Sequence, residues 1–147
     1  MRPKDRILRV ALLVVAGVML GLGGFTLVYA RGYSYLLDDP NACVNCHIMR
    51  DNMSSWTVSS HRTVTCNGCH TPHELMPKYL TKAEHGVAHS WAFTFGDPQV
   101  IRIKQRSLDV VEHNCVQCHD AMTSNLRMVD ASPPSCVRCH RTVGHAD

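Results

Sequence analysis

Four short stretches limit what this chain can become. They are Cys43-Val-Asn-Cys46-His47, Cys66-Asn-Gly-Cys69-His70, Cys115-Val-Gln-Cys118-His119 and Cys136-Val-Arg-Cys139-His140. Each reads C-x-x-C-H, the attachment pattern of c-type haem. The spacing has a chemical reason. Two thiols one helical turn apart add to the two vinyl groups of one haem, and the imidazole of the next residue comes to lie under the iron. The four copies consume all eight cysteines of the chain. A disulfide scaffold would not place a histidine after each second cysteine. Zinc sites prefer separate cysteine and histidine pairs. A thioredoxin-like protein needs one C-x-x-C beside a βαβ pattern, and no such pattern is present.

Only nine of the 147 residues are Phe, Trp or Tyr, few for a chain that must build its own apolar core. Four covalent haems supply large flat apolar bodies in their place. The expected fold is a mainly α, haem-dominated multihaem cytochrome c with little regular secondary structure, which does not fold without its haems. The formal charge of +3 is misleading. Each haem brings a pair of propionates that move the loaded protein towards neutral or acidic, so no nucleic-acid partner is expected.

The N-terminus reads as a basic cytoplasmic tail over residues 1–9, carrying Arg2, Lys4, Arg6 and Arg9 against Asp5. Residues 10–30 hold no charge and suffice for one transmembrane helix. The positive-inside rule then sends residues 31–147 across the bacterial inner membrane into the periplasm, where c-type haem is attached. The competing reading is a signal peptide cleaved after Ala30, although the apolar run exceeds the usual signal-peptide core. Gly17 and Gly21 form G-x-x-x-G, a pattern that lets a second helix approach and would support homo-oligomers. Twelve residues separate Ala30 from Cys43, so the first haem is expected close to the membrane lipid.

Six-coordinate irons need a second ligand each. Four of the ten histidines sit in the motifs. The others are His61, His73, His85, His89, His113 and His145, and methionine also serves. Met49 lies two residues after His47, near enough to displace it from the first iron. The residues alone leave that choice open. His61 and His145 read as ligands, whereas His73 reads as a partner of a propionate or solvent, and no role is apparent for His113.

The run Cys43 to Met49, followed by His61, the motif at Cys66, those at Cys115 and Cys136, and a trailing His145, resembles the small membrane-anchored tetrahaem cytochromes of the NapC/NrfH family. Within it the C-x-x-C-H-x-M run and the short chain are similar to the small subunits of cytochrome c nitrite reductase. The resemblance implies Met49 as proximal ligand of haem 1, with His47 off the iron. It implies His61 on haem 3 with His119, His145 on haem 2 with His70, and His140 on haem 4. The other side of haem 4 would face a periplasmic multihaem catalytic subunit.

Residues 77–95 read as a helix stopped by Gly96, with Lys78, Lys82, His85 and His89 on one face and Trp91 suited to a membrane interface. Such groups beside a membrane-proximal haem suggest oxidation of quinol from the membrane pool. An imidazole takes a proton, and a lysine favours the quinol anion. The resemblance also implies a quinol pocket here, at Lys82 and residue 89. Some relatives carry a carboxylate at 89, which leaves His89 open as base, as distal neighbour of haem 1 or as its ligand. Asp97-Pro98 is expected to open a further helix running to about Glu112, and Pro133-Pro134 a turn into haem 4.

The expected activity is therefore quinol dehydrogenation, with menaquinol favoured by the resemblance. Electrons would pass through four haems to the catalytic subunit of an ammonia-forming nitrite reductase. Three alternatives stand beside it. One is a relative serving another periplasmic reductase. Another is a soluble tetrahaem carrier after signal cleavage. The third is a haem-based sensor with an open iron.

Overall fold

The computed structural model describes residues 2–96, 101–129 and 135–145 of the chain. The described residues are helical or irregular, with no strand. They divide into two compact units, one ending at Ser34 and one beginning at Tyr35.

The first unit is essentially one helix, α1 (Pro3–Tyr29). Pro3 occupies the first turn, where the missing N–H costs nothing. Of the basic residues expected in a separate tail, Lys4, Arg6 and Arg9 lie within the helix, and Arg2 is its extended N-cap. At 27 residues and 1.5 Å per residue, the helix is about 40 Å long, enough to cross a bilayer with turns to spare. None of its residues is buried, and Gly17 and Gly21 face open space. Arg31 ends the helix in the left-handed region, at φ 51°, a position more often given to glycine. Gly32 follows because a Cβ there would come within 2.6 Å of the Leu27 side chain.

The second unit holds α2 (Pro40–Cys43), α3 (Arg50–Thr57), α4 (Cys66–His70), α5 (Leu75–Phe95), α6 (Gln105–Cys118), α7 (Asp120–Val129) and α8 (Cys136–Cys139). Short 3-10 turns cover Gly32–Leu36 and His47–Met49. No apolar side chain is buried among the described residues. The buried ones are polar: Ser34, Ser59, Thr71, Lys82 and Asn114. A unit of this size ordinarily closes around aliphatic and aromatic side chains. This one is held by hydrogen bonds arranged around α6.

Two side chains near the end of α6 make it a spine. Asn114 is 3% exposed, and its Nδ2 donates to the carbonyls of Cys69 and Thr71, each at 2.9 Å. This ties α4 to α6. Two residues earlier, the Glu112 carboxylate accepts from the Ser135 hydroxyl, the Cys136 amide at 2.7 Å and the Val137 amide at 3.3 Å. It thereby caps α8 from outside. Burial would raise the Glu112 pKa, but these hydrogen bonds outweigh it and hold the carboxyl below its ordinary value.

Helix α5 starts at Leu75, two residues before the expected Pro77. It stops at Gly96, where a Cβ would meet the Ala92 carbonyl oxygen at 2.7 Å. Helix α6 differs from expectation. Asp97-Pro98 lies outside the described residues, as does Pro133-Pro134. The helix begins only at Gln105 and runs through Cys118. Ile101 and Ile103, β-branched and alternating with basic residues, favour the extended backbone before it.

Asn114→Ala should strand two buried carbonyls and cost about 2 kcal/mol, visible as a lowered midpoint in thermal unfolding of the mature protein. Glu112 should stabilise the fold fully at neutral pH. Its contribution should fade as pH falls through its depressed folded pKa, because the unfolded chain then binds the proton more readily. Acid unfolding of Glu112→Gln should lack that component, and identical acid profiles for the two proteins would contradict it.

Candidate haem sites and the charged face of α5

Three of the four cysteine pairs sit on a turn of helix: Cys66 and Cys69 in α4, Cys115 and Cys118 in α6, and Cys136 and Cys139 in α8. The first pair departs from this. Cys43 closes α2, while Cys46 is extended at φ −91°, ψ 120°. His47 then opens a 3-10 turn and is exposed, whereas Met49 is half-buried. The Met49 sulfur receives the Asn52 amide at 3.8 Å. The altered backbone thus turns the thioether rather than the imidazole inwards, in keeping with the pattern C-x-x-C-H-x-M.

Histidines far apart in sequence come together in pairs. His61 and His119 have ring centres 6.0 Å apart. His70 and His145 lie 6.1 Å apart with rings 10° from parallel. An iron bound about 2 Å from one nitrogen of each ring would set the centres roughly 6 Å apart. Direct stacking of the rings would bring them closer. His70 is pushed down to about 4, first by burial and then by His145 and His85, so it stays neutral with a lone pair to give. The Nδ1 of His145 is buried without a partner. His140 is exposed, and among the described residues no ring is paired with it.

Local packing explains His61. The Trp56 indole N–H is shared between the carbonyls of His61 at 3.2 Å and Val64 at 3.1 Å. The Ser59 hydroxyl accepts the His61 amide at 3.2 Å. The loop from α3 to α4 is thereby pinned. His73 donates from Nε2 to the Gly68 carbonyl at 2.9 Å and so braces its own motif, a backbone partner that its spacing did not reveal. His113 is exposed.

The motifs adjoin one another in chain order. Cys43 and Cys66, Cys69 with Cys118 and Cys115, and Cys115 with Cys136 are close enough to interact electrostatically. All eight thiols are free of disulfides. No cluster of three or more His, Cys, Asp or Glu that could hold a metal ion forms among the described residues, so a zinc tetrad is not assembled. Paired thiols, paired imidazoles and a missing apolar core fit haem c.

The charged face of α5 meets the segment leading to the first motif. Lys82 is 6% exposed. Its ammonium donates to the Leu37 carbonyl at 2.9 Å, to Asp38 Oδ1 at 2.9 Å and, more weakly, to the Leu36 carbonyl at 3.4 Å. Asp38 also receives Lys78 and Asn67, and Lys78 followed by Lys82 holds its carboxyl well below the ordinary range. The three donors of Lys82 are committed, and only the long bond to Leu36 is readily exchanged for a ligand. His89 is exposed, with Nδ1 2.7 Å from the Tyr35 hydroxyl. The His85 ring lies 5.9 Å from that of His89 but turns to α6, its Nε2 lying 3.3 Å from Ser107 Oγ. Burial lowers both imidazole pKa values. Lys82 lies close enough to Cys43, and Tyr35 to Cys46 and Cys43, to interact electrostatically. Asp38, Tyr35, Asn114 and Glu112 carry no motif that would single them out.

Residues 3–147 match the NapC/NirT cytochrome c family, N-terminal region. The chain is 35% identical over 156 residues to the cytochrome c-type protein NrfH of Wolinella succinogenes, covering 97% of this chain and 88% of that one. It is 34% identical over 134 residues to the cytochrome c nitrite reductase subunit NrfH of Nitratidesulfovibrio vulgaris, covering 90% and 82%. Its fold matches a chain of the cytochrome c nitrite reductase NrfHA complex bound to the HQNO inhibitor. The TM-score is 0.67, with 31% identity over 91% of this chain and 90% of that one. With its haem-attachment motifs and an N-terminal helix fit for a membrane anchor, the chain belongs to the NapC/NirT cytochrome c family.

Proposed function

We propose that this chain is the membrane-anchored, quinol-oxidising tetrahaem subunit of an ammonia-forming cytochrome c nitrite reductase. The observation that carries the reading is the Lys82–His89 face of α5 lying against the segment beside Cys43 and Cys46. Proton-handling side chains thus stand at one end of a row of haem-attachment sites. The two NrfH relatives and the NrfHA complex support the same assignment.

Each cysteine pair carries one haem c, giving four. When bound, these groups supply one-electron redox chemistry, which accepts electrons singly and passes them on. The chain's own residues do the rest. His70 with His145 and His61 with His119 hold two irons, Met49 takes the first and His140 the fourth. The order of the thiol pairs supports transfer from the first motif to the last. The exposed position of His140 leaves the last one facing the periplasmic catalytic subunit.

At the entry end, His89 accepts a proton from the quinol hydroxyl. Lys82 anchors residues 36–38 and supplies a fixed positive charge that favours the quinol anion. Menaquinol is the favoured substrate. Arg2, Lys4, Arg6 and Arg9 keep the N-terminus cytoplasmic, α1 crosses the inner membrane, and the haem domain is periplasmic. The exposed Trp91 and Phe95, in contact at 4.5 Å, give α5 an apolar side suited to the lipid interface.

His145→Ala should open one further iron, so that the carbon monoxide difference spectrum gains amplitude over that of the unaltered protein. An unchanged spectrum would contradict the ligand assignment. His89→Gln should slow reduction by a menaquinol analogue by about 100-fold while dithionite reduces the protein as before. Equal quinol rates in the two proteins would remove the site.

A further inference from the structure

The quinol reading assigns His89 as proton acceptor but leaves unexplained how an exposed imidazole is held in the useful tautomer. A neutral imidazole has one N–H and one bare nitrogen. It accepts a proton from a quinol only through the bare one. An unrestrained ring in water can rotate and can carry its proton on either nitrogen.

Tyr35 resolves this. Its hydroxyl lies 2.7 Å from His89 Nδ1. The tyrosine sits over α5. Its ring stands 3.8 Å from where a Cβ on Gly86 would be, so the glycine leaves room for it. It is near enough to Cys46 and Cys43 to interact electrostatically. Lys82 ties the backbone of the next residues, Leu36 and Leu37, to α5. Partial burial pushes the phenol up to about 12, so it remains a neutral hydroxyl at physiological pH. The other titratable groups facing His89 are His85 on its own helix and Lys104 before α6. Neither occupies Nδ1.

We propose that Tyr35 is the positioning residue of the quinol site: its hydroxyl oxygen accepts the Nδ1–H of His89, which leaves Nε2 bare to take the quinol proton. The inference rests on the quinol reading of this face. In the step it serves, one quinol O–H bond breaks, its electron pair stays on the quinol oxygen as the anion, and the proton becomes the Nε2–H of His89. Tyr35 neither gains nor loses a proton. It stabilises the imidazolium through the same hydrogen bond, as the orienting partner of a histidine base does elsewhere.

The test is a double-mutant cycle on the haem-loaded, detergent-solubilised protein with its catalytic subunit, using Tyr35→Phe, His89→Gln and the double variant. Tyr35→Phe keeps the ring and its packing. It should lower kcat/KM with a menaquinol analogue by about tenfold or more. The visible spectrum and dithionite reduction should be unchanged. The double variant should be no slower than His89→Gln alone. A second readout is the affinity for the HQNO inhibitor by calorimetry. Its hydroxyl presents the same kind of proton as a quinol, so Tyr35→Phe should weaken binding about tenfold. If His89→Gln is inactive but Tyr35→Phe matches the unaltered protein in both rate and affinity, the Tyr35 role is wrong and the quinol site stands. If His89→Gln is fully active, the site reading itself fails. Multiplying losses in the double variant would show that Tyr35 acts independently of His89, which also overturns the inference.

Discussion

The unit that follows the anchor helix depends on a core that its polypeptide does not supply. Among the described residues no apolar side chain is buried, and the buried groups are polar. Such a chain cannot repay the entropy of ordering its backbone through side-chain burial alone. Covalent haem changes the balance. Each macrocycle brings apolar surface, and its tether shortens the loops that must be closed. The polypeptide is left to place the attachment points and hold them at fixed separations.

Helix α6 performs that placement. It carries the third cysteine pair, and the residues just before that pair grip the second and fourth motifs through Asn114 and Glu112. Hydrogen bonds to a carbonyl or amide have narrower geometry than apolar contacts. They suit a protein whose function depends on the separation of its cofactors. At the other end, Lys82 and Asp38 bind the segment after the anchor helix to α5 and set the first motif beside the charged face. On the proposed function, one cluster would position both the proton chemistry and the first electron acceptor.

Most of this was legible in the sequence where chemistry imposes spacing. Four C-x-x-C-H motifs, the 21 uncharged residues from Val10 to Ala30 and the periodicity of α5 allow few alternatives. The pairing of His61 with His119 and of His145 with His70 came from the resemblance rather than from the residues, because ligands so far apart leave no local pattern. Less legible were groups whose role is set only by tertiary contact. Asn114 and Glu112 look like ordinary helix residues, and Tyr35 belongs to no motif. Lys82 was read as the lysine of the quinol pocket, yet its hydrogen bonds go to backbone carbonyls and Asp38. The first motif also broke the helical geometry assumed for all four, since Cys46 is extended.

The most direct test of the central claim is extraction of the protein from native membranes in mild detergent. The intact masses of what co-purifies would be measured, together with menaquinol-driven nitrite reduction by the assembly. The account predicts a chain heavier than its polypeptide by four haems and with α1 retained. It should be bound to a larger multihaem subunit and support quinol-dependent ammonia formation. A chain cleaved after Ala30, or an assembly that oxidises menaquinol without reducing nitrite, would contradict it.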